Sequence, residues 1–196
     1  MFRGAPKFGN GHEGVDRLRV DLARHIYLRF NAATGTFGGI YIPGEVIFTA
    51  HEWTGKATGA TADGRRAGDV LADSAGASQG MDLDGPTALM QSVLKLPVTE
   101  YLLTSVVLNL RFLPSIMRNS DSRDSVRRLF ETFFKQGGMQ LQINVCDAKV
   151  LRAAQADPES YKSLIIRVGG YSDNFINISQ ALQDEIIERT AHSVLC

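Results

Sequence analysis

Apolar residues return along this chain with two periods, and the periods divide it into helices and strands. From Glu13 to Ala33, Val15, Leu18, Leu22, Ile26 and Phe30 recur at three- and four-residue intervals, which predicts a helix ended by Gly35, Gly38 and Gly39. Ile40 to His51 is β-like through Ile40, Ile42, Val46, Ile47 and Phe48, and Pro43-Gly44 interrupts it. Trp53 to Asp84 is polar and glycine-rich, which predicts a long loop; loops of that length in a compact domain are usually functional or packed against something else. Asp84-Gly85-Pro86 predicts a helix start, with Thr87 to Leu96 as its body and Pro97 as its stop. Tyr101 to Phe112 is a Leu- and Val-rich run that predicts a strand. Asp121 or Ser122 can cap the next helix, with Val126, Leu129, Phe130, Phe133 and Phe134 on one face and Gly137-Gly138 closing it.

The C-terminal third is clearer. Met139, Leu141, Ile143 and Val145 alternate with Gln140, Gln142, Asn144 and Cys146, a period of two that predicts a strand with one apolar and one polar face. Asp147 can cap a helix through Ala156, Pro158 breaks the pattern, and Leu164 to Val168 predicts a second strand. After Gly169-Gly170-Tyr171, Ser179 can cap a last helix with Leu182, Ile186 and Ile187 facing inward. Strand, helix, strand, loop and helix in this order imply a parallel pair with a right-handed crossover, hence an α/β class. The amide face of Gln140, Gln142 and Asn144 has two readings. It lines a closed barrel around a polar substrate or a loop, or it is the wet side of an edge strand; burial would oblige each amide to find a partner.

Composition narrows the function. The 196 residues carry 44% apolar and 21% charged side chains, ordinary for a globular domain. Lys+Arg and Asp+Glu balance at 21 each, so no basic footprint marks a nucleic acid or an anionic membrane. No run approaches a membrane span, and Met1 to Pro6 has no apolar leader core, so a reducing cytoplasm is the expectation. Cys146 and Cys196 have neither CxxC nor Cys/His spacing, and no metal site is expected.

Candidate chemistry lies in Arg167-Val168-Gly169-Gly170-Tyr171-Ser172. Taken alone, its paired glycines read as a turn needing positive φ. Two further stretches change that reading: Thr58-Gly59-Ala60-Thr61-Ala62-Asp63-Gly64-Arg65-Arg66-Ala67-Gly68 running on to Leu71-Ala72-Asp73, and Gly137-Gly138-Met139-Gln140-Leu141-Gln142-Ile143-Asn144-Val145. With Gln183 to Thr190 they make the chain, from Gly4 onward, resemble the C-terminal region of the glycyl radical enzymes, the family of pyruvate formate-lyase and related dehydratases, decarboxylases and C–C lyases. The stretch Gln79 to Leu96 is closer to the dehydratase and decarboxylase branches.

The resemblance implies the C-terminal part of a ten-stranded β/α barrel, with a lyase-barrel portion over 1–85 and a glycine radical domain over 86–196. It implies Gly170 as the radical position, with Arg167, Val168, Gly169, Tyr171 and Ser172 supporting the loop. Arg167 would anchor it through a carboxylate or backbone carbonyls, and Tyr171 through packing or its hydroxyl. Gln140, Gln142 and Asn144 would face the barrel interior. No cofactor is bound on this reading; an iron–sulfur activating enzyme using S-adenosylmethionine takes the hydrogen from Gly170, and the radical passes to a cysteine that this chain does not contain. The partners implied are that activating enzyme and the missing N-terminal portion or a partner lyase chain, with a homodimer open for the full enzyme. A split-enzyme subunit, an autonomous repair protein and a non-catalytic α/β binding module remain as alternatives. Two departures from the family pattern stand out: Gly169, where Ser, Ala or Cys is common and whose extra glycine predicts a looser loop, and Asp173 in place of a small residue. Cys146 replaces an aliphatic residue and reads as a small buried hydrophobe.

Overall fold

In the computed structural model, which describes residues 4–189 and 191–192, the apolar run before residue 112 becomes the centre of a parallel sheet. The chain runs α1 (Glu13–Asn31), α2 (Ala50–Ala57), α3 (Gly85–Leu94), β1 (Val107–Phe112), α4 (Ser120–Lys135), β2 (Gln140–Val145), α5 (Ala148–Ala156), β3 (Ile165–Arg167), β4 (Ser172–Asn174), α6 (Gln180–Glu188) and β5 (Ala191–His192). The first sheet has the order β2-β1-β5. Its register runs from Val107 opposite Gln140 to Phe112 opposite Val145, with Phe112 opposite His192 on the other side. β1 is buried on both faces apart from Asn109, which is why its sequence does not alternate. The α/β class read from the periodicities holds.

The parallel pair expected between the two C-terminal strands does not form. β2 pairs with β1, and α4 lies in the connection between them. β3 instead folds back antiparallel on β4, with Arg167 opposite Ser172. A partner one tight loop away closes at little entropic cost, while six residues of β1 were already available to β2.

Two of the expected caps are made. Asp147 accepts from the Lys149 N–H at 2.8 Å and Ser179 from the Leu182 N–H at 3.3 Å. The cap of α4 is Asn119, not Asp121 or Ser122; its side chain accepts from the Asp121 N–H at 2.8 Å. Such a bond answers one of the orphan donors of a first turn and is worth ~1 kcal/mol.

The N-terminal half departs further from the pattern. Residues 40–49 form only single bridges, Thr34 with Ile40 and Glu45 with Val106, because Pro43 lacks a donor and ends any ladder there. The Trp53–Asp84 loop opens inside a helix, α2, that glycine disguised. Gly55 is buried, and a Cβ on it would stand 2.4 Å from the Asp69 carbonyl oxygen. On α1 the apolar stripe faces away from the described chain: Leu18 is 72% and Leu22 55% exposed, whereas Asp16, Ala23 and Tyr27 are buried. Asp16 accepts from Ser92 at 3.1 Å and Lys95 at 2.8 Å, and the Tyr27 hydroxyl donates to Glu45, itself paired with Arg19. Burial, then Glu45, raises the Tyr27 hydroxyl far above its usual range.

Two apolar cores result among the described residues. The larger gathers Tyr27, Leu89, Met90, Leu108, Phe112 and Phe133. The smaller gathers Leu151, Ile166, Val168, Phe175, Leu182 and Ile186, and from it the glycine loop projects.

Candidate functional site

Val168–Tyr171 joins β3 to β4 as a tight hairpin end, closed by the Val168 N–H donating to the Tyr171 carbonyl at 2.9 Å. Val168 is fully buried in the smaller core and anchors one side. Gly169 is buried and Gly170 half-buried, with φ +90° at Gly170. Gly169 is demanded by close approach to backbone, and Gly170 by its positive φ. A Cβ on Gly169 would lie 2.6 Å from the Phe48 carbonyl oxygen, and one on Gly170 would lie 2.6 Å from the Phe48 ring. The second glycine therefore seats the loop against residues 47–48 rather than loosening it.

The amide face of β2 meets this loop. Asn144 makes two bonds to the backbone of Arg167: its Nδ2 donates to the carbonyl at 2.7 Å, and its Oδ1 accepts from the N–H at 2.8 Å. The side chain thus takes the part of a neighbouring strand for one residue. Gln142, buried, accepts from the Gly170 N–H at 2.7 Å. Gln140 is not part of the group; it accepts from the Ser105 hydroxyl at 2.9 Å. Alternation along β2 puts these amides on one face, and burial makes their bonds obligatory.

Arg167 uses backbone, not a carboxylate. Its Nη2 donates to the Gly170 carbonyl at 3.1 Å and its Nη1 reaches the Ser172 hydroxyl at 3.4 Å. Tyr171 is 39% exposed, and its contribution to the hairpin is its carbonyl. Ser172 is exposed. Cys146, past the end of β2, is partly buried against the smaller core; burial pushes its thiol up, with Arg111 and Arg189 pulling the other way. A thiol so placed stays protonated near neutral pH, as a small apolar side chain would behave. Cys196 lies outside the described residues.

A second polar assembly was not readable in advance. Arg189 holds Glu185 with two bonds, Nε at 2.8 Å and Nη2 at 2.9 Å, and Asp73 Oδ2 at 3.0 Å. His51 Nε2 lies 3.5 Å from Glu185. Asn109 and Ser74 donate to Asp73 Oδ1 at 3.0 and 3.1 Å. Arg111 donates to the carbonyls of Ile186 at 3.1 Å, Ile187 at 2.8 Å and Arg189, closing the C-terminal end of α6 with a cation. Burial raises Asp73 despite Arg189. Burial also pushes Glu185 up, but His51 and Arg189 outweigh it and hold the carboxyl below its ordinary value. The only sequence signal was the four-residue spacing of Glu185 and Arg189 on an otherwise apolar helix face.

A groove of about 1060 Å³ separates residues 52–81 from α6, with Lys56, Asp63, Arg65, Arg66, Asp184 and Glu188 in its walls. No residue of 165–174 lines it, so this groove is not at the glycine loop. Among the described residues no cluster of His, Cys, Asp and Glu is placed to hold a metal ion. No helix among them is long and apolar enough to cross a membrane.

Known proteins resemble this chain in sequence and fold. Indoleacetate decarboxylase of Tractidigestivibacter scatoligenes is 38% identical over 192 residues, covering 97% of this chain and 22% of that protein. Trans-4-hydroxy-L-proline dehydratase of Clostridioides difficile is 35% identical over 186 residues, covering 94% and 23%. The glycerol-bound structure of the B12-independent glycerol dehydratase from Clostridium butyricum superimposes with a TM-score of 0.94 at 38% identity, over 98% of this chain and 24% of that one. The chain thus spans less than a quarter of the length of these relatives, and its α/β fold is that of a part of them. The family described as "Glycine radical" matches residues 71–176, a span that holds β1, β2 and the whole glycine loop with its amide supports. The chain belongs to the glycine radical family.

Proposed function

We propose that this chain is the glycyl-radical-bearing portion of a longer radical enzyme of the decarboxylase, dehydratase or lyase kind, with Gly170 as the radical position. The observation that carries the reading is the seating of Gly170, at a hairpin tip with a φ of +90° that favours glycine, its N–H on Gln142 and its carbonyl on Arg167. Loss of hydrogen from Cα leaves an electron shared between the amide nitrogen and the carbonyl, which requires a planar centre that a side chain would crowd. Relatives that are decarboxylases and dehydratases support those branches. The coverage of less than a quarter of their length supports a thiyl cysteine supplied from outside this chain. The exposed apolar stripe of α1 supports a further protein surface, in the same polypeptide or a partner chain.

The activator on this reading is a radical S-adenosylmethionine iron–sulfur enzyme. Its role ends when it removes the Gly170 hydrogen. The chain's own residues hold the loop, cover it with Phe48 and keep its peptide groups bonded. The test is exposure of the anaerobically activated protein to air, followed by mass spectrometry. Cleavage at Gly170, absent in Gly170→Ala, is expected. An intact chain, or a cut elsewhere that persists in the variant, contradicts the proposal.

A further inference from the structure

Every hydrogen bond to a peptide N–H comes from an acceptor and every bond to a carbonyl from a donor, so the signs at Gly170 are not in themselves informative. What distinguishes this residue is who supplies them. Its neighbours in the hairpin are held by backbone or by Asn144: Val168 N–H by the Tyr171 carbonyl, and both groups of Arg167 by the one amide. Gly170 alone in the loop has both peptide groups taken up by separate side chains, a buried amide on the N–H at 2.7 Å and a guanidinium on the carbonyl at 3.1 Å. Gln142 is 3% exposed. Turned over, it would face NH2 to N–H, donor against donor, so the bond to Gly170 fixes its orientation. Its Nε2 has no hydrogen-bond partner among the described residues. A buried amide that leaves its donor end unanswered costs free energy, and its one bond is spent on Gly170.

We propose that Gln142 and Arg167 form a push–pull pair that tunes a radical at Gly170, an inference that rests on the reading of Gly170 as the radical site. In forming that radical the Cα–H bond breaks evenly. The hydrogen atom leaves with one electron and joins the carbon-centred radical delivered by the activating enzyme, making a closed-shell C–H bond there. One electron remains on Cα. It is stabilised when the nitrogen on one side gives density and the carbonyl on the other withdraws it. An acceptor on the N–H draws the proton outward and leaves the nitrogen richer. A cation on the carbonyl oxygen strengthens the withdrawal, and such charge-assisted bonds are the stronger kind. At φ +90° the resting Cα is not yet flat with the preceding peptide, so the pair acts in full once the centre flattens.

The experiment is electron paramagnetic resonance of the anaerobically activated protein carrying 15N-glycine, as wild type, Gly170→Ala, Gln142→Leu, Gln142→Glu and Arg167→Met. A contact that only positions the loop changes yield and decay, but not how spin is shared among atoms. The push–pull pair predicts a wider α-hydrogen splitting and a weaker 15N coupling in Gln142→Leu. It also predicts a wider splitting in Arg167→Met, where Asn144 still holds the backbone. Gln142→Glu, which keeps an acceptor, returns both values toward wild type. Radical yield falls about two- to tenfold in Gln142→Leu, the equilibrium factor for one lost hydrogen bond. A wild-type doublet, lost in Gly170→Ala, whose couplings stay unchanged in Gln142→Leu and Arg167→Met overturns the push–pull pair and leaves the radical site standing. If Gln142→Leu fails to fold, Arg167→Met decides alone. No doublet in wild type brings down the radical site and this inference with it.

Discussion

Two polar assemblies lie against the same sheet, and they are held by opposite means. The glycine loop is fixed by amides and backbone: Asn144 on Arg167, Gln142 on Gly170. The cluster of Asp73, Glu185 and Arg189, with His51 beside Glu185, is fixed by ion pairs to Arg189, and it ties the glycine-rich stretch to α6 across more than a hundred residues of sequence. Neutral amides do not titrate, so these bonds bring no pH dependence of their own. A buried ion cluster makes each member depend on the others, because removing one leaves the rest buried and uncompensated. A loop that must present one backbone atom reproducibly is better served by the first device, and a long strap by the second.

The largest effect that separates the two comes from the ions. Arg189→Met leaves Glu185 and Asp73 buried without their shared cation and is expected to lose ~3–5 kcal/mol in urea unfolding, while Gly170 keeps its partners. Next is Asn144→Leu, which strips both backbone groups of Arg167 and is expected to cost ~1–3 kcal/mol. Its distinguishing mark is faster hydrogen exchange at the Arg167 N–H, with no change at Arg189. Similar exchange changes at both sites would mean that the two assemblies are one.

Of these two assemblies, titration is expected to act on the ion cluster. Glu185 in the folded chain lies below its ordinary 4.5, so its contribution is fully present above that value and is lost as pH falls through the lower, folded one. Asp73 is raised above 3.8, so its contribution has the opposite sign: present below 3.8 and lost as pH rises through the folded value. Unfolding midpoints measured from neutral to acid pH are expected to fall less steeply in Glu185→Gln and more steeply in Asp73→Asn. Asn144→Leu is expected to shift the curve without changing its slope. The smallest effect belongs to the outward stripe of α1. Leu18→Ser with Leu22→Ser is expected to change this chain's stability by no more than about 0.5 kcal/mol per residue, since neither side chain is buried in it. A larger loss would mean that the stripe packs on this chain after all.

The same contrast explains what was legible in the sequence. The turn, the alternating strand and the caps Asp147 and Ser179 could be read because their requirements are local, whereas Gly170 as a radical position came only from the resemblance carried by the two further stretches. The cluster could not be read, because Asp73 and Glu185 look like surface carboxylates until the chain brings Arg189 and His51 to them. The strand partner of β2 was misassigned for a related reason: β1 and β4 compete for two strands, and only the three-dimensional closure decides. Glycine concealed α2, since Gly55 serves close packing against Asp69 and not a turn. Periodicity gave α1 its helix but not its direction; the five apolar positions mark one face, and the buried face is the one with Asp16 and Tyr27.

The central claim is that Gly170 holds the unpaired electron. The direct measurement is electron paramagnetic resonance of the chain after anaerobic treatment with its activating enzyme, in the presence of the remaining part of the enzyme. A doublet from the single hydrogen left on Cα, absent in Gly170→Ala, is the result predicted. No organic radical under those conditions, or a signal that survives in Gly170→Ala, would contradict it.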